Sequence, residues 1–119
     1  MKILFLSHSD FQGGAARATF FLAKGLRNLG YDVHLLVNVK VTDNFWVIST
    51  KKPKIFNFLE IIERKIFSIV KKNNASHWSS TIIPNLYLNK QIKDFAPDII
   101  NIHWVGNNFL NFNFLKNIN

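Results

Sequence analysis

No cysteine occurs in the 119 residues. Disulfides, thiolate nucleophiles and thiolate metal sites are excluded, and a reducing cytoplasm is compatible with the chain. Acidic residues are few: seven Asp and Glu stand against fifteen Lys and Arg, for a net charge of +8. That balance favours polyanions, whether nucleic acid, anionic lipid or phosphorylated small molecules. A compositional bias toward Lys, Asn, Ile and Phe would produce the same charge. Long apolar runs are missing too. Met1-Lys2 leads only into Ile3-Leu4-Phe5-Leu6 before Ser7-His8-Ser9-Asp10, which is too short for the core of a signal peptide. No run approaches the roughly 18 apolar residues of a spanning helix. A soluble or peripheral protein is expected. Glycine and proline are scarce, five and three residues, so each one punctuates the chain.

What is present is enough for one hydrophobic core: 48% of residues are apolar and twelve are Phe. The length allows one domain, and neither an internal repeat nor a low-complexity linker divides it. Ile3 to Leu6 is a continuous apolar run, as in a strand covered on both faces. Ser7 to Gly14 is expected as the loop after it. Ala15 to Leu29 has helical periodicity, with Ala15, Ala18, Leu22, Leu26 and Leu29 as the expected buried stripe and Arg17, Lys24, Arg27 and Asn28 opposite. Gly30 suits the left-handed position just past a helix. Val33 to Val37 is a second strand and Trp46 to Ser49 a short third. Pro53 opens a second helix over about Lys54 to Lys72, with Ile55, Leu59, Ile62, Ile66, Ile69 and Val70 as its stripe. A polar loop from Asn73 to Asn85 follows, then a short helix from Leu86 to Phe95, stopped before Pro97. Asp98 to His103 is a further strand, and a last helix begins at Phe109.

Strands alternating with helices predict an α/β fold, a Rossmann-like parallel sheet with helices on both faces. The doubly wound order puts the Ile3 strand between the Val33 and Ile99 strands, with right-handed crossovers. A sheet of three or four strands, ending in a helix, reads as unfinished. The expectation is the front of a longer protein or a truncated product, with residues 1–119 as one incomplete domain.

Ligands of such sheets sit at the carboxyl ends of strands, at the topological switch point. Gly13 and Gly14 lie there, at the start of the first helix, where bare N–H groups suit a phosphate. A tight turn that needs glycine for its own geometry is the competing reading. The loop is neither G-x-G-x-x-G nor a Walker loop, because no Gly-Lys-Ser/Thr follows. His8 and His103 each directly follow a strand, and on neighbouring strands they are expected to face each other across the switch point. A histidine there can act as a base or bind an anion. His34, within a strand, reads as structural, and His77, beside Trp78, is unassigned. A metal held by His8, Asp10 and His103 is conceivable chemically but no ligand spacing supports it, and no metal is expected. The Lys51–Lys72 stretch, with Glu60 and Glu63 among its basic residues, reads first as a sheet-covering helix with a charged face. The same rim suits an anionic membrane surface. No nucleic-acid motif appears, and no nucleic-acid partner is expected.

With these runs in hand, the chain resembles the opening of GT-B glycosyltransferases of the family 4, or group 1, kind. Lys2-Ile3-Leu4-Phe5-Leu6 with Gly13-Gly14-Ala15-Ala16-Arg17-Ala18 carries the likeness, as do Gly30-Tyr31-Asp32-Val33 and Pro97-Asp98-Ile99-Ile100-Asn101-Ile102-His103-Trp104. It covers residues 1–38 and 97–110; between about 42 and 90 only the order of elements is shared. The resemblance implies an acceptor-side domain facing a separate donor-binding domain, which these residues lack. It implies transfer of a sugar from a nucleotide-sugar donor to a saccharide or lipid-linked acceptor, as in polysaccharide biosynthesis, with no cofactor beyond the donor substrate and no bound metal. Gly13 and Gly14 would lie near the donor's diphosphate and His103 at the reaction centre. His8, Arg17 and Trp104, which flank them, are the further candidate substrate-binding residues. The chain alone is expected to be inactive, and its location cytoplasmic, peripheral on the inner face of the membrane. A stand-alone phosphate- or membrane-binding α/β module without catalysis is the alternative. A dinucleotide-dependent oxidoreductase fits poorly, since the second strand ends Val37-Asn38-Val39-Lys40 with no acid for the ribose hydroxyls.

Overall fold

The computed structural model describes residues 1–50, 62, 65, 86–105, 109 and 110. Four strands and two helices occupy the longer segments: β1 (Lys2–Ser9), α1 (Gly14–Asn28), β2 (Asp32–Val39), β3 (Val47–Ser49), α2 (Leu86–Phe95) and β4 (Ile99–Ile102). The strands form one all-parallel sheet in the order β3-β2-β1-β4. The α/β fold and the central place of the Ile3 strand are as the sequence predicts. Ile62 and Lys65 are helical. The remainder of the expected Lys54–Lys72 helix, the loop holding His77 and Trp78, and the helix past Leu110 lie outside the described residues.

Strand alternation sorts the core into two layers. Ile3 and Phe5 of β1 join Val33, Leu35 and Val37 of β2, Val47 of β3 and Trp46 on one face, under Phe20 and Ala23 of α1. Leu4, Leu6 and Leu36 meet Leu88 and Ile92 of α2 on the other, with Phe109 and Leu110. Fully burying one such Leu or Phe contributes about 1.5–3 kcal/mol. Opposite faces are what right-handed crossovers running in opposite directions along the sheet require. The link from β2 to β3 manages a parallel return without a helix. It can be short because β3 pairs with the middle of β2, Leu35 opposite Val47, and Trp46 stacks on Phe20 at 5.1 Å as it passes over the α1 face.

The period expected for α1 is right and its phase is wrong. The buried residues are Ala16, Thr19, Phe20 and Ala23, while Leu22 and Leu29 are exposed. The two stripes differ by about one residue, or 100° around the helix. Phe20 decides the matter by stacking on Trp46, and Thr19 can be buried because its hydroxyl donates to the Ala15 carbonyl at 2.8 Å. Arg27, expected on the solvent side, is half-buried: its guanidinium donates to the Val33 carbonyl and lies over the rings of Phe45 and Trp46. The helix ends as Gly30 predicts. Gly30 has φ 91°, its N–H donates to Arg27 and the Tyr31 N–H to Leu26, the paired bonds of a Schellman end.

Candidate functional site

The switch point lies between β1 and β4, whose connections leave in opposite directions. β1 is longer than its apolar run. Ser7 and Ser9 stay in register with Val37 and Val39 of β2, the His8 N–H donates to the Trp104 carbonyl, and the His103 N–H donates to the Leu6 carbonyl. His8 therefore belongs to the strand, and the loop is confined to Asp10–Gly13.

That extra length settles where the two histidines point. The Leu6–Ile102 register, carried on by the bond from His103, sets Ser7 beside His103 and His8 beside Trp104. The His103 ring stacks on Phe5 at 5.6 Å, on the α1 face. The His8 ring meets Trp104 edge-on at 5.4 Å, on the face of Leu4 and Leu6. The expectation that His8 and His103 face each other is thus corrected: both sit at the carboxyl rim, on opposite faces of the sheet. The Trp104 side chain follows His8, and neither shares a face with the glycine loop.

On the α1 face, Gly13 caps the helix with φ 90° and ψ 168°, a conformation reserved for glycine. Its carbonyl accepts the first helical bond, from the Arg17 N–H. No side chain caps α1 and no acid lies in its first turn. A Cβ added at Gly13 or Gly14 would meet nothing within 4 Å, so the backbone here is open to an approaching group. Arg17 is drawn back toward the loop, its guanidinium 5.2 Å from the Phe11 ring centroid. Phe11 in turn packs edge-on against Phe20 and Phe21. The open amide end and the exposed Arg17 together give this corner a positive, donor-rich character.

Asp10 is fully buried and belongs to the scaffold. Its carboxylate accepts from the Val41 N–H, the Thr42 N–H and the Thr42 hydroxyl at 2.6–2.8 Å. Burial pushes its pKa up, and these bonds outweigh that and hold it below the ordinary 3.8. With both oxygens engaged and the histidines on opposite faces, His8, Asp10 and His103 do not assemble into a ligand set. Ser9 braces the loop by accepting from the Phe11 and Gln12 N–H groups. His34 sits against Phe95, and desolvation is the largest influence lowering its pKa, with Asp32 opposing.

Two residues of this corner carry no local signal in the sequence: Ser7, concealed as an ordinary polar residue after a strand, and Phe11, whose ring lies against the Arg17 guanidinium. Among the described residues no helix is long and apolar enough to cross a membrane. The basic stretch Lys51–Lys72 falls outside the described residues apart from Ile62 and Lys65. No family model, curated protein or solved structure matches the chain.

Proposed function

We propose that this chain is the acceptor-side domain of a glycosyltransferase, which moves a sugar from a nucleotide sugar to a saccharide or lipid-linked acceptor. One observation carries the reading: His103 and the uncapped glycine start of α1 share one face of the sheet at the β1/β4 switch point. In sugar transfer the departing nucleoside diphosphate gains negative charge as its bond to the sugar breaks. Preorganised donors aimed at that charge lower the barrier. Here the candidates are the first N–H groups of α1, reached across Gly13 and Gly14, and the Arg17 guanidinium. In this reading His103, at the end of β4, meets the sugar or the attacking hydroxyl beside that cradle. The sequence runs Gly13–Ala18 and Pro97–Trp104 support the same reading through their likeness to GT-B enzymes. The donor's sugar and base need a second α/β domain, on this polypeptide or a partner.

The test uses the natural polypeptide that carries these residues, supplied with a set of nucleotide sugars and with polysaccharide and lipid-linked acceptors. Acceptor-dependent release of nucleoside diphosphate is expected. His103→Ala should lower it by about a hundredfold or more. Nucleotide binding without release would favour the non-catalytic phosphate-binding module instead. Unchanged release in His103→Ala would remove the role assigned to that residue.

A further inference from the structure

The carboxyl rim carries a second constellation, on the α2 face and away from the glycine loop. Register lines up one residue from each strand there. Asn38 of β2 lies opposite His8 of β1, between the Ser7–Val37 and Ser9–Val39 pairs. His8 lies beside Trp104, whose carbonyl accepts its N–H. Alternation puts all three on the side of Leu36, Leu6 and Ile102, the apolar row directly below them. The Thr50 N–H donates to the Val37 carbonyl and carries β3 one residue further, so Thr50 closes the row beyond Asn38. Its buried hydroxyl has no partner, and the row ends there on a polar wall. Above the Leu36–Leu6–Ile102 row, the face thus turns polar and aromatic.

Trp104 is the least covered member, 48% exposed. An indole usually buries most of its large apolar area. The His8 ring meets it edge-on, at 5.4 Å and 89°, and one edge-on neighbour occupies at most one indole face. Asn38 and His8 are half-buried, so the rim gives access to both. An Asn amide donates and accepts in one plane, and an imidazole adds donor or acceptor nitrogens beside it. No Lys, Arg, Asp or Glu stands in the row. Two residues beyond His8 and Asn38, Asp10 is committed to Val41 and Thr42, and the Lys40 amine donates to the Asn44 carbonyl. Neighbouring strands lie about 4.8 Å apart, so Asn38 to Trp104 spans roughly 10 Å.

We propose that Trp104, His8 and Asn38 form a binding row for an uncharged saccharide, with one sugar ring stacked on the indole and the hydroxyls of the next held by His8 and Asn38. A pyranose ring presents apolar C–H groups on its face and hydroxyls around its edge. The row offers partners for both, over a span that suits two linked rings. A phosphoryl group finds no cation in the row. An acyl chain would bury the Asn38 amide without partners, which is costly. The row adjoins the reaction corner proposed above, because His103 and Trp104 are consecutive, yet the two lie on opposite faces. A saccharide chain on the row therefore reaches His103 only with its end, over the carboxyl ends of β1 and β4. Its use as the seat of the acceptor's unreacting units rests on the sugar-transfer reading; its affinity for saccharides does not.

The test is a titration of the isotope-labelled full chain with homo-oligosaccharides of glucose, N-acetylglucosamine, galactose and mannose, from monosaccharide to tetrasaccharide. NMR follows the Trp104 indole N–H, the Asn38 side-chain amide and the His8 ring. Saturable shifts at all three are expected with at least one series. Affinity should rise about tenfold from monosaccharide to disaccharide, as added hydrogen bonds allow, and level off beyond it. Trp104→Ala should weaken disaccharide binding by about tenfold or more, and Trp104→Phe should restore most of it. Asn38→Ala should weaken the disaccharide and leave the monosaccharide unchanged. Circular dichroism of the variants should match that of the natural sequence. No shifts with any series, equal affinity in Trp104→Ala, or affinity that does not grow with length would overturn the row. Tighter binding of adenosine or uridine at the same three groups would overturn the saccharide assignment. The two proposals fail separately. Length-dependent saccharide binding without sugar transfer keeps the row alone, and sugar transfer without saccharide binding at these residues keeps the glycosyltransferase alone.

Discussion

His8 and His103 stand at the ends of two paired strands, one residue apart in register, and point to opposite sides of the sheet. The His103 ring lies on Phe5 on the α1 side of the sheet, and the His8 ring meets Trp104 on the side of α2. A single residue of register separates a histidine that shares a face with the glycine loop from one that does not, because strand side chains alternate with period two. Under the proposed function, His8→Ala should lower acceptor-dependent transfer far less than His103→Ala. Equal losses in a side-by-side assay of the two variants would show that the faces do not divide the work.

The two loop glycines should part company on substitution. Gly13 has φ +90° and Gly14 begins the helix, and neither position lacks room for a Cβ. Gly13→Ala is expected to lose about 1–2 kcal/mol from backbone strain. Gly14→Ala should be neutral or gain about 0.5 kcal/mol from helix propensity, while its methyl group obstructs the open corner. Urea denaturation checks the first half. Pyrophosphate titration checks the second, where Gly14→Ala should bind more weakly despite an intact fold.

Asp10→Ala should cost about 2–4 kcal/mol, because it strands the Val41 and Thr42 donors that the carboxylate now satisfies. The pH dependence has a definite sign. A folded pKa below the ordinary 3.8 means that the unfolded chain takes up this proton first. The stabilisation is present above pH 3.8 and is lost as pH falls through the lower folded value. Unfolding midpoints on the acid limb should be flatter in Asp10→Ala than in the natural sequence.

His34 gives the same sign in a different window. Its folded pKa is below the ordinary 6.5, chiefly through desolvation, with Arg27 and Lys2 adding to the effect and Asp32 opposing it. The unfolded chain binds the proton first, so stability falls as pH drops below 6.5 and levels off beneath the folded value. His34→Phe keeps an aromatic ring against Phe95 and should remove this slope below pH 6.5. An unchanged slope would assign the titration elsewhere.

Ala96 ends α2 with φ 47°, a left-handed position that favours glycine. Its N–H donates back to the Ile92 and Lys93 carbonyls, so the helix depends on that turn before Pro97. Ala96→Gly is expected to stabilise by about 0.5–1 kcal/mol, read as a rise in melting temperature by calorimetry.

Much of the fold is visible in the sequence because local chemistry and tertiary structure agree there. The Ile3–Leu6 run is central, Gly30 closes α1, and Pro97 limits α2 to Leu86–Phe95. The phase of α1 is not visible, since Leu22 and Leu29 offer as good a stripe as Phe20 until Trp46 supplies Phe20 with a partner. The end of β1 is hidden as well. Ser7, His8 and Ser9 look like a loop, and only the strands beside them, far along the chain, hold them extended. Asp10 shows the general limit: its partners lie 31 and 32 residues away, and no local pattern announces them. Gly13, Gly14 and His103 could be singled out because glycine at a helix start and histidine after a strand are local features. Ser7 could not, because being buried without a partner belongs to the folded arrangement alone.

The handedness of the crossovers also bears on the α1 side of β4. Ile99 faces that side, opposite Ile3 in register, and is 45% exposed among the described residues. A right-handed step outward from β4 would travel on the face of α2, where Phe109 and Leu110 already pack. A further strand added beyond β4 would thus bring its crossover along the α2 side, and the approach to His103 from the α1 side would stay clear of it.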